Sequence, residues 1–177
     1  MKASSRSLFV LVAIAGLVGG FGSLASSTGG AGEDAAPPWV KQAPSGYRDW
    51  TLISVAHEEG NIHSLGAVLG NDVSIRAYRE KTIPFPDGTI IAALHYRHAA
   101  SEENDKIFGQ AQSFVAGSPT NVQFMVKDSK KYAATGGWGF GHFNPDGKPV
   151  DATFMKPCFP CHAQNKAHDL VFTQYAP

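Results

Sequence analysis

The chain has 177 residues, with 15 Lys and Arg balanced by 15 Asp and Glu and a hydrophobic fraction of 43%. Zero formal charge and the lack of a basic stripe argue against nucleic acid as a partner. Residues 39–177 are one domain by length, large enough to bury a core, and no internal repeat divides them.

Taken in chain order, the first feature is an export signal. Lys2 and Arg6 form a positive segment, residues 8–18 an apolar one, and Ser23-Leu24-Ala25 a small-residue cleavage site. Residues 1–25 therefore read as a signal peptide. The competing reading is an uncleaved anchor, which rests on the length of the apolar stretch. Either way the remainder is expected outside the cytoplasm, as a periplasmic protein. Residues 26–38 are mostly Ser, Thr, Gly, Ala and Pro and read as a disordered leader.

The mature portion alternates like half-buried strands separated by turns. Strands are expected over residues 51–56, over 89–96 after an Asp87-Gly88 turn, and over 121–126 after a Gly117-Ser118-Pro119 turn. A further strand over 138–143 closes at Asn144-Pro145-Asp146-Gly147. Residues 71–80 predict an amphipathic helix with Val73, Ala77 and Ile75 inward, and residues 128–132 a short capped turn. The fold class is α+β, mainly antiparallel sheet with a few helices. Lys127 to Lys131 reads as a solvated turn, or a docking point for a redox partner.

The last element carries the chemistry. Cys158-Phe159-Pro160-Cys161-His162 holds the chain's two cysteines and has the Cys-x-x-Cys-His spacing of covalent haem attachment. On a helix the three reactive residues share one face, and Pro160 fits the first turn, where no N–H is needed. A thioredoxin-like pair would need a strand-then-helix context that is missing before Met155, and zinc would need further ligands. A disulfide across two residues would be strained. The motif thus predicts one haem c per chain on a C-terminal helix, with Cys158 and Cys161 covalently attached and His162 as iron ligand.

No methionine follows His162, so a sixth ligand would have to come from upstream. Met155 lies on the proximal side, and Met125 reads as a core filler. His57, His63, His98 and His168 lie in polar segments and read as solvated surface, while His95 and His142 read as structural strand histidines.

Three stretches together resemble the cytochrome P-460 family. They are Cys158 to His162 with the following Asp169-Leu-Val-Phe-Thr-Gln-Tyr-Ala-Pro177, Phe85-Pro86-Asp87-Gly88-Thr89, and Val126-Lys127-Asp128-Ser129-Lys130 leading into Gly137-Trp138. The resemblance implies a mainly antiparallel β fold, usually dimeric, with one c-type haem ligated by the motif histidine and an open distal position. It also implies a distal pocket containing two decisive positions. The lysine that cross-links to haem in cytochrome P-460 proper corresponds to Ala93, and the distal glutamate that relays protons corresponds to Gln123. Alanine has no nucleophile and glutamine is no general base. Both departures point toward the cytochrome c-prime beta branch and away from hydroxylamine oxidation.

Strand alternation then places Thr89, Ile91 and His95 beside Ala93, and Asn121 and Met125 beside Gln123, with Val122, Phe124 and Val126 on the opposite face. Gly139 and Gly141 share one face of the last strand and allow close approach of either a macrocycle or another strand. The leading functional expectation is a cytochrome that binds nitric oxide or a similar small ligand. The alternatives are one-electron transfer and oxidation of hydroxylamine or nitric oxide.

Overall fold

The computed structural model describes residues 37–176. The signal peptide and nearly all of the leader fall outside the described residues. Five strands form one sheet in sequence order: β1 (Thr51–Glu58), β2 (Ser64–Gly70), β3 (Ile90–Ala100), β4 (Phe114–Lys127) and β5 (Trp138–Phe143). Every neighbouring pair is antiparallel. Helices α1 (Asp72–Glu80), α2 (Glu102–Phe108), α3 (Ala152–Met155) and α4 (Cys158–His162) complete the α+β fold, with the Cys-x-x-Cys-His motif on α4.

Period-2 alternation separates two apolar layers. Ile91, Met125 and Phe140 lie in one cluster with Ile75 and Ala77 of α1 and with Leu170 and Val171 of the C-terminal segment. Ala92, Leu94, Val122, Phe124 and Phe143 lie in the other with Val40. Residues 38–40 cover the open edge of β5. Val40 N–H donates to the Phe140 carbonyl at 2.7 Å, and Phe140 N–H donates to the Pro38 carbonyl at 2.8 Å. That pairing removes a row of unsatisfied backbone groups.

The two β5 glycines belong to this second face, which decides between their two readings. A Cβ at Gly139 would collide with the Tyr132 ring, and one at Gly141 would press on Val40 and Phe143. They admit neighbouring side chains, while Phe140 and His142 take the opposite face.

Several boundaries differ from expectation. β4 runs straight through the expected turn at residues 117–119, because register shifts at Tyr96 absorb Pro119 inside the ladder. β2 and α2 were not anticipated. In α1 the inward residues are Ser74, Ile75 and Ala77, and Val73 is only half-buried. The Asn71 side chain caps α1 by accepting from Ser74 N–H at 3.0 Å. It also accepts from Ile90 N–H at 3.1 Å and donates to the Gly88 carbonyl at 2.8 Å, which fastens the start of β3. Thr89 precedes β3, is buried, and donates its hydroxyl to the Pro86 carbonyl, while its own carbonyl accepts from Lys127 N–H at 2.9 Å and continues the ladder to β4.

Candidate haem site

Helix α4 is only five residues long and begins after Pro157. Pro160 occupies its first turn, and the Cys161 N–H reaches the Pro157 carbonyl at 3.1 Å. Cys158 is half-buried, Cys161 is exposed, and both thiols are free. Burial pushes the Cys158 thiol pKa up.

His162 is held more tightly than its thiol neighbours. Its Nδ1 lies 2.7 Å from the Leu170 carbonyl. A carbonyl can only accept, so Nδ1 carries a proton, and in the neutral ring Nε2 then keeps its lone pair. Nε2 has no hydrogen-bond partner among the described residues. Burial lowers the His162 pKa, opposed by the Leu170 bond, which favours the neutral ring. The Phe140 and Phe172 rings sit at 5.2 and 5.0 Å from it. A neutral imidazole with one nitrogen tied to a carbonyl is a pre-oriented metal ligand.

The carbonyl that orients His162 comes from a strained turn. Asp169 and Leu170 both adopt left-handed backbone, with φ of 48° and 67°. For residues other than glycine such conformations cost about 1–3 kcal/mol each. Lys127 holds the turn in place. Its Nζ donates to Asp169 Oδ1 and Oδ2 at 3.0 and 2.8 Å and to the Gly136 carbonyl at 3.0 Å. Phe85 N–H donates to Asp169 Oδ2 at 2.9 Å. Lys127 is thus a buried structural cation, 7% exposed, above the Trp138 ring. This corrects its assignment to a solvated turn. Lys130 and Lys131 are exposed as expected.

Facing His162 is the sheet. Val68, Ala93, Gln123 and His142 form one cross-strand row. Gly66, His95 and Asn121 form the next. A cavity of about 630 Å³ is lined by Ala93, His95, Asn121, Gln123 and His162, within the range of small-molecule sites. A narrower pocket beside it shares Ala93, Gln123 and His162 and adds Ile91, Met125 and Cys158. The structure therefore brings Ala93 and Gln123 together with His162 and Cys158 around one space.

The β1 and β2 side of the cavity escaped the sequence reading. Glu58 follows His57 in the polar end of β1, yet it lines the cavity with Ser54 and Ala56. The signal was there in the period-2 spacing of residues 54, 56 and 58. Glu58 Oε2 accepts from Ser64 Oγ at 2.9 Å and lies 3.4 Å from His95 Nδ1. Gln123 Nε2 donates to Asn121 Oδ1 at 3.2 Å. The wall is consequently apolar at the Ile91–Met125 end and polar at the Glu58–His95 end. Burial, and next the nearby His95, lowers the His142 pKa.

Two thiols one helical turn apart, a neutral imidazole with a free Nε2, and a cavity beside them fit a c-type haem. Fold and site define a c-type haem cytochrome. The chain belongs to the cytochrome P-460 family, whose family description matches residues 44–173. None of the curated proteins compared with it matches the chain.

Replacing Lys127 by Met would leave the Asp169 carboxylate buried without its cation. Urea unfolding of the haem-loaded protein is expected to show a loss of about 3–5 kcal/mol. A loss below about 1 kcal/mol, the size of an exposed pair, would show that the turn is held by other contacts.

Proposed function

We propose that this chain is an exported mono-haem cytochrome that binds nitric oxide or a similar small neutral ligand. In this reading Cys158 and Cys161 attach the haem, His162 is the proximal ligand, and the distal side is open. Following the resemblance, it is a homodimer of the cytochrome c-prime beta kind. Export is supported by the positive, apolar and small-residue segments of residues 1–25.

The observation that carries the reading is Ala93, which lines the cavity next to Gln123 and shares that space with His162. A bound haem would supply an iron coordination position for the ligand. The protein supplies the surroundings. Ile91, Ala93, Met125 and Phe140 make an apolar wall that disfavours anions, because a charge placed there loses its hydration. Gln123 offers a side-chain amide N–H near the same space, one able to donate a hydrogen bond to a diatomic molecule. No lysine stands at position 93 to cross-link, and no glutamate at 123 to take a proton.

The one-electron-transfer reading has an observation of its own. His142 is half-buried in the cross-strand row that holds Ala93 and Gln123, and an imidazole there would convert the site to a closed, six-coordinate carrier. Exposed Lys130 and Lys131 would then serve a redox partner.

Absorption spectra of the oxidised and reduced protein, with and without carbon monoxide, separate these readings. Five-coordinate high-spin spectra that change fully on adding carbon monoxide are expected. Low-spin spectra indifferent to it would favour the carrier. Ala93→Lys provides a second test. It is expected to alter the reduced spectrum and weaken ligand binding at least tenfold. If neither changes, residue 93 does not face the haem.

A further inference from the structure

Three of the seven histidines converge at the β1–β2 turn and the end of β3, and none of them lines the haem cavity. His57 alternates with Glu58 near the end of β1, His63 sits in the β1–β2 turn, and His98 lies near the end of β3. The sequence offers no hint of the grouping, because residue 98 joins the other two only through strand pairing. His98 N–H approaches the His63 carbonyl at 3.5 Å, and His63 adopts a left-handed backbone with φ of 38°. His98 Nδ1 and His63 Nε2 are 3.3 Å apart. The His57 ring stacks on His98 with centroids 4.3 Å apart, and Phe114 stacks on the same imidazole at 4.2 Å. One ring nitrogen from each histidine lies within 4.8 Å of the other two.

We propose that His57, His63 and His98 form a surface binding site for a divalent transition cation of the zinc and copper type. The donor set is the argument. Three imidazoles suit zinc, copper and nickel, and are poor ligands for magnesium or calcium. A tetrahedral zinc ion with bonds of about 2.0–2.1 Å holds its nitrogens about 3.3 Å apart, the separation already present between His63 and His98. Phe114 packs on one imidazole, so part of the ordering cost of binding is met beforehand. Glu59 Oε1, 3.5 Å from His57 Nδ1, is positioned to accept a ring proton or to provide an outer carboxylate. Alternation turns His57 and His98 away from Ala93 and Gln123, and none of the three histidines lines the haem cavity, so the two sites are separate.

The test is calorimetric titration of the haem-loaded protein with zinc ions alone, repeated with His63→Ala and with His57→Ala. One zinc per chain is expected, with affinity lowered at least tenfold in each variant and the haem absorption spectrum unchanged throughout. His63 is exposed in a turn, so His63→Ala should leave the fold intact. A second readout covers the other variant. Copper added in one equivalent should give an electron paramagnetic resonance spectrum with three nitrogen couplings in the parent and two in His57→Ala. Absent binding, or zinc affinity equal in all three proteins, would show that the trio is merely packed.

Discussion

The Lys127–Asp169 ion pair joins the last residue of β4 to the turn behind the haem motif, two points 42 residues apart in sequence. Burying two charges costs several kcal/mol of hydration, which their attraction alone need not recover. Here the Gly136 carbonyl and the Phe85 N–H supply additional bonds, so neither charged group is left short. The pair holds Asp169 and Leu170 in left-handed conformations that neither residue favours by itself. That turn aims the Leu170 carbonyl at His162 Nδ1 and so determines which imidazole nitrogen is free. The orientation of His162 is therefore set by a tertiary contact, while the motif's own helix is only five residues long.

The opposite side of the cavity depends on the sheet. Pairing of β2, β3, β4 and β5 places Val68, Ala93, Gln123 and His142 in one row, so a single substitution in that row changes what a ligand meets. The other face is a separate core, closed by residues 38–40 against β5 and by the Tyr47 ring on Phe124. With its own packing secured there, the cavity face can carry polar residues such as Asn121 and Glu58 without loss of the fold.

What was legible in the sequence was local. The Cys-x-x-Cys-His spacing declares itself within five residues, and β5 was read to the residue because glycine and aromatic positions alternate between two turns. The resemblance singled out Ala93 and Gln123, and strand pairing sets them side by side. The rest depended on partners far along the chain. β2, with Gly66 and Gly70, has little strand propensity and exists because β1 and β3 flank it. Lys127 reads as solvent-exposed until Asp169 is beside it. Glu58 and the three clustered histidines lie in a polar stretch whose two faces only the sheet distinguishes.

The central claim is that the anchored turn orients His162 beside an open distal cavity. Resonance Raman spectroscopy of the reduced, ligand-free protein measures both at once, through the iron–histidine stretch that five-coordinate haem displays. The account requires this band in the parent protein and a shift to lower frequency in Asp169→Asn, as the turn loosens and the Leu170 bond to His162 weakens. A missing band, or one at the same frequency in the variant, would contradict it.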